Sequence, residues 1–312
     1  MKPVRARAWI SEFIGTTLLL FAATVIARWL FGSDSPLARE VPALAGRLAI
    51  DGVVTGAVIG LLIISPLGRS SGGHFNPAVT VTMWLLRGIH GGDVGAYVGA
   101  QLAGSVIGVL AGRAVLGPVL AAPPVDYAAL RPASGWTGGA MFAGEALSLA
   151  LLMAVVVAFL ARPSLARWSP AAVAVTVAVL ILLGGLTSGG SFNPARQLGP
   201  LVFAGLLGLL WAYLVGPVIG SLLVAVVIRS VGLPHPLTCS LCGTPPRDII
   251  PDPLAPIPAA ESPRPASPAN CPPAVSRPHG NHHDLRARVA VLPVAMTCRP
   301  RSAALTHAPR VA

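Results

Sequence analysis

Residues 188–200 read "SGGSFNPARQLGP", and residues 71–80 read "SGGHFNPAVT". Both contain Ser-Gly-Gly-x-Phe-Asn-Pro-Ala, and the two asparagines, Asn76 and Asn193, lie 117 positions apart. Asn is a strong helix N-cap, because its side-chain oxygen takes up an otherwise orphaned backbone N–H. Pro is favoured at the first helical position, where it has no needed N–H to lose. Asn76-Pro77-Ala78 and Asn193-Pro194-Ala195 therefore each start a helix. The Gly pairs before them suit a tight, non-helical approach. The stretches that follow, 78–86 and 195–204, are too short to cross a bilayer and read as half-helices.

The rest of the chain says what those half-helices sit in. Hydrophobic residues make up 54% and charged residues 11%, and mean hydropathy is +0.73. That leaves too little polar surface to cover a soluble globule, in which about 25% of residues are charged. Six apolar runs, near 8–31, 43–67, 94–117, 138–161, 170–187 and 205–228, approach the roughly 20 residues a spanning helix needs. No secretory cleavage site follows the first of them. With the N-terminus inside, short cytoplasmic segments carry Lys2, Arg5, Arg7, Arg69, Arg87, Arg162, Arg167 and Arg229, against Arg28, Arg39, Arg47, Arg113 and Arg131 outside. This bias favours an orientation with both termini cytoplasmic.

Each Asn-Pro-Ala belongs to its own half of the chain, and each half has three spans. An odd number of spans inserts the second half upside down relative to the first. The two half-helices then enter from opposite faces and meet near the midplane, as broken helices do in inverted-repeat transporters. Non-helical backbone at that depth is tolerated where it is buried in protein or lines a watery cavity. The doubled motif implies a pore.

At this point the chain resembles the aquaporin and aquaglyceroporin family, the major intrinsic proteins. The resemblance runs over about 8–230. It rests on both Asn-Pro-Ala boxes, on "SEFIGTTLLLF" with Glu12, on "GEALSLALLM" with Glu145, and on "YVGAQLAGS" (97–105) and "YLVGPVIGS" (213–221). It implies an all-α membrane protein of six transmembrane helices and two re-entrant half-helices in two inverted repeats, about 8–117 and 138–230. It also implies an hourglass pore in each subunit of a homotetramer, in the cell membrane. Glu12 and Glu145 are expected beneath the re-entrant loops, accepting their backbone N–H groups, since a carboxylate inside a span needs partners. Arg196 is expected at the extracellular constriction, where a guanidinium offers fixed donors and repels cations.

Counting back from the boxes, the family's constriction falls on Gly56 (Thr55 if the register slips by one), Ile181, Gly190 and Arg196. Strict water channels of the family carry a bulky aromatic and a His at the first two places. Their absence here resembles the nodulin-like intrinsic proteins of plants. It implies passage of small neutral solutes such as glycerol, urea, boric acid or arsenous acid, together with water. Gln197 and Leu201 depart from the pattern of dedicated glycerol facilitators. A strict water channel is the alternative. A coupled secondary transporter is a second, which would need acids at the midplane and for which Asp51, near the start of the second span, is the only extra candidate; a junction or scaffold protein is a third. No nucleophile–base constellation suggests an enzyme.

Residues 1–231 form the expected channel domain. From 232 to 312 the chain holds 17 of its 31 prolines, eight Arg and four acids, and reads as a disordered, basic tail. All four cysteines, Cys239, Cys242, Cys271 and Cys298, lie there. A single Cys-x-x-Cys beside His235 falls short of a zinc pattern, so no metal or cofactor is expected.

Overall fold

A computed structural model describes residues 3–232 and Leu237. The basic tail, its Cys-x-x-Cys and the histidines near 279–283 lie outside the described residues. Eleven α-helices follow in order: α1 (Pro3–Phe31), α2 (Pro36–Glu40), α3 (Leu44–Ile64), α4 (Pro66–Ser71), α5 (Pro77–Leu85), α6 (Gly91–Leu116), α7 (Gly138–Leu160), α8 (Pro163–Ala166), α9 (Ser169–Gly185), α10 (Pro194–Ala204) and α11 (Leu210–Val231). There are no strands among the described residues. The helices α1, α3, α6, α7 and α11 are each long and apolar enough to cross a membrane. The remaining span, α9, has 17 residues. At 1.5 Å per residue it reaches about 26 Å, near the lower limit for a hydrocarbon core.

The spans pack in three principal pairs, α1 with α6, α3 with α9 and α7 with α11. Small residues make these approaches possible, as is usual where lipid gives helices no hydrophobic reason to associate. On α3, a side chain at Gly52 would lie 2.5 Å from the Ala178 carbonyl oxygen, and one at Gly56 would lie 2.3 Å from that of Ala174. On α11, a side chain at Gly220 would lie 2.2 Å from the Ala146 carbonyl oxygen. On α6, a side chain at Gly104 or Gly108 would lie 2.6 Å from a backbone oxygen of α1. Large apolar side chains such as Val53, Leu61, Leu147, Val175 and Leu183 stay exposed on the outer surface, as in a bundle solvated by lipid.

The half-helices α5 and α10 start as their sequences require. Asn76 is extended at φ −156°, and its Oδ1 accepts from Ala78 N at 2.9 Å. Asn193, at φ −147°, accepts from Ala195 N at 3.0 Å and from Arg196 N at 3.3 Å. A difference between the halves precedes them. The first connection contains an extra short helix, α4, capped by Ser65 and closed by Gly72 in the left-handed region at φ 92°.

Candidate functional site

The two re-entrant loops are tied to each other at the centre of the bundle. Asn76 Nδ2 donates to the Phe192 carbonyl at 3.0 Å, and Asn193 Nδ2 donates to the Phe75 carbonyl at 3.0 Å. Each asparagine thus caps its own half-helix with oxygen and holds the opposite loop with nitrogen. An amide carries two hydrogens. One is spent on the tie, and the other is available to the cavity that both asparagines line.

To present those carbonyls, Phe75 and Phe192 adopt left-handed backbone at φ 45° and 37°. Such conformations persist only where the surroundings enforce them, and here two buried glutamates do so. Glu12 accepts from Ser71 Oγ (2.6 Å), His74 N (3.0 Å), Phe75 N (2.7 Å) and Gln101 Nε2 (2.7 Å). Glu145 accepts from Ser188 Oγ (2.7 Å), Ser191 N (3.2 Å) and Phe192 N. Tyr97 and Tyr213 complete the parallel: their hydroxyls donate to the Ser71 and Ser188 carbonyls, both at 2.7 Å. Two serines fasten the half-helices to the spans behind them. Ser105 Oγ donates to the Ala195 carbonyl and accepts from Gly199 N at 2.9 Å, and Ser221 Oγ donates to the Ala78 carbonyl at 2.7 Å. The roles of Gln101, Ser105 and Ser221 were not assigned from sequence. The signal was present in the repeated Tyr-x7-Ser spacing of 97–105 and 213–221.

Two cavities flank this centre. One, of about 390 Å³, is bounded by the C-terminal end of α1, the N-terminal end of α3 and residues 124–131. The other, of about 560 Å³, includes both asparagines and extends to Pro163, Ala166 and Leu237. Four residues line both cavities: Thr55, Ile181, Gly190 and Arg196. Together they make a ring of four residues common to the two cavities.

Ile181, Gly190, Arg196 and the alternative-register residue Thr55 line both cavities, and Gly56 lines neither. It faces the α9 backbone, and Thr55 occupies the ring. Periodicity along α3 separates the two faces: Gly52, Gly56 and Gly60 meet α9, whereas Leu48, Asp51, Thr55, Ile59 and Ile63 face the cavities.

Arg196 is held at the ring by the connection between α6 and α7. Its Nη1 donates to the Ala128 carbonyl at 2.9 Å and to Gln197 Oε1 at 3.3 Å. Gln197 in turn clasps Leu130, accepting from its N–H at 3.3 Å and donating to its carbonyl at 3.2 Å. Where a dedicated glycerol facilitator would place an acid after the arginine, this chain has an amide that anchors the loop over the ring.

Residues 2–228 match the model of the major intrinsic protein family. The chain belongs to that family. It is therefore a membrane channel for water and small solutes and not an enzyme. A putative aquaporin NIP4-1 of Arabidopsis thaliana is 32% identical over 214 residues, covering 68% of this chain and 69% of that one. A glycerol uptake facilitator protein-like 6 of Lactiplantibacillus plantarum is 32% identical over 228 residues, covering 72% of this chain and 98% of its own length. The X-ray structure of the aquaglyceroporin from Plasmodium falciparum superposes with a TM-score of 0.60 at 20% identity, over 73% of this chain and 96% of that one, which shows the shared fold.

Proposed function

We propose that the chain is a passive channel whose ring admits small, neutral, hydroxylated solutes as well as water. The observation that carries this is the ring itself. Thr55 and Gly190 leave room, Ile181 gives an apolar wall, and Arg196 supplies fixed donors. An aromatic residue at the place of Thr55 and a His at that of Ile181 would narrow it toward water alone. Glycerol, urea, boric acid and arsenous acid are the solutes of suitable size and charge. The names of the relatives above, a putative aquaporin and a glycerol uptake facilitator, accord with this range.

Ions are excluded at two levels. The N-termini of α5 and α10 point at the centre, each equivalent to about half a positive charge. Arg196 adds a full positive charge at the ring. The functional unit is a homotetramer with one pore per subunit, set in the plasma membrane with both termini cytoplasmic. The excess of basic residues in the inner loops supports that orientation.

Stopped-flow light scattering on proteoliposomes tests the reading, with water, glycerol, urea, boric acid and arsenous acid compared in turn. Gradient-driven entry of glycerol and boric acid, unaffected by collapse of sodium or proton gradients, is expected. Water flux alone would make this a strict water channel. Uptake that ceases when an ion gradient is collapsed would make it a carrier.

A further inference from the structure

Among the acids within the spans, Asp51 is the one that the architecture does not use. A carboxylate at membrane depth is costly unless it is paired or faces water, and its presence there points to function. Glu12 and Glu145 are consumed by the loops above them. Asp93 lies in the first turn of α6, 3.7 Å from Arg5. Asp51 lines the smaller cavity one turn before Thr55, and Thr55 Oγ1 donates to its Oδ1 at 2.9 Å. Its Oδ2 makes no hydrogen bond among the described residues.

Three cations share this cavity. Arg131 is paired with Asp126 at 2.8 Å, and Arg47 reaches the Leu30 carbonyl at 3.4 Å with its guanidinium over the Phe31 ring. Arg196 acts on Asp51 electrostatically, yet the two do not close into an ion pair within 4.0 Å. Opposite charges that line one passage without meeting leave space for something between them. Asp51 also sets the polarity of the ring. Because the Thr55 hydrogen is committed to the carboxylate, Thr55 presents only lone pairs to the pore. One wall then donates, through Arg196, and the other accepts, through Asp51 and Thr55.

We propose that Asp51 is a specificity-determining residue of the pore, selecting solutes whose hydroxyl groups donate to it while Arg196 binds a solute oxygen. This rests on the solute-channel reading above. A hydroxylated solute must shed water to enter the ring, and each donor left unmatched raises its barrier. A hydroxyl both donates and accepts, so a polyol matches both walls, whereas an apolar face matches neither.

The test compares glycerol with propylene glycol, in which one hydroxyl is replaced by hydrogen, in proteoliposomes of full-length protein. Flux through protein-free vesicles is subtracted. In Asp51→Ala the ratio of glycerol to propylene glycol permeability is expected to fall about tenfold, as for loss of one charge-assisted bond. Asp51→Asn keeps an acceptor oxygen, and its ratio should fall by less than about threefold. A purely structural role would lower both solutes together and leave the ratio where it was. That result, or an Asn variant as unselective as the Ala variant, overturns the assignment while the solute channel stands. Wild-type protein that passes neither solute overturns both. Proton-driven uptake abolished in Asp51→Asn would make Asp51 a coupling site instead.

Discussion

Replacing Gly56 by Ala should damage packing without touching selectivity, whereas replacing Thr55 by Ala should do the reverse. The added methyl at position 56 would lie 2.3 Å from the Ala174 carbonyl oxygen, 3.1 Å from its carbon and 3.4 Å from its Cα. All three are backbone atoms of a buried helix, so no rotamer change relieves the clash. The two helices must separate, by about 1 Å if ordinary contact is to be restored. A gap of about 0.5–1 Å forfeits roughly a quarter to a half of each dispersion well along the seam. Gly52 and Gly60 bring the same two helices together one turn either side, so the loss extends over about three turns. Overpacking of this kind costs about 1–3 kcal/mol or more. Against a total stability of about 5–15 kcal/mol, even 1–2 kcal/mol changes the folded-to-unfolded ratio roughly 5- to 30-fold. At Thr55, water in the cavity can replace the lost hydroxyl on Asp51, and the cost should stay below about 1 kcal/mol. The assay is thermal unfolding in detergent alongside the ratio of glycerol to water permeability in vesicles. Gly56→Ala should lower the unfolding temperature and leave the ratio of the surviving channels unchanged, and Thr55→Ala should raise the ratio at near wild-type stability. A stable Gly56→Ala protein with altered selectivity would refute the placement of the ring.

Further outcomes follow from the same geometry. Thr55→Phe combined with Ile181→His should cut glycerol and boric acid flux at least about tenfold, as expected where a site excludes a solute by more than about 1.4 kcal/mol, with water flux persisting in stopped flow. Glu145→Leu leaves the Ser191 and Phe192 N–H groups without their acceptor, at about 1–3 kcal/mol each, so folded yield should collapse in size-exclusion chromatography, with Glu145→Gln intermediate. Asn193→Asp removes the donor to the Phe75 carbonyl and sets a carboxylate oxygen against it; water and solute flux should both fall, and unchanged flux would show that the tie is dispensable. Wild-type vesicles should carry no proton current above background under a pH gradient, and a measurable current would refute exclusion by the half-helix ends.

The architecture was legible because its least common elements are local in sequence. Asn followed by Pro at the edge of an apolar run marks a helix start, and two copies in halves of three spans each imply an inverted repeat. Glu12 and Glu145 stood out because a carboxylate in an apolar run must be satisfied by something. The constriction was harder to read. Arg196 and Gly190 lie within a few residues of Asn193, so counting reached them safely, and Ile181 lies in α9, 12 residues before that asparagine in sequence. The first ring residue is 21 positions before Asn76, across a connection that folds into the extra helix α4. A count cannot register how a loop is folded, but the spacing of Gly52, Gly56 and Gly60 marks a close-packed face and turns Thr55 the other way. Gln101, Ser105 and Ser221 were hidden for another reason. Polar residues inside spans announce a partner without naming it, and theirs lie as far as 143 positions away.

The crossed ties between the loops also bear on how the molecule is made. Asn76 is latched by the Phe192 carbonyl, 116 positions further along the chain. At about 5–20 residues per second, the ribosome supplies that carbonyl some 6–23 s after Asn76 itself. For that interval the first half-helix has its cap and its glutamate but no counterpart across the midplane. The channel is thus unfinished until the second copy of the motif has entered the bilayer. Closure of the pore is then a late, single event that joins two halves delivered from opposite sides.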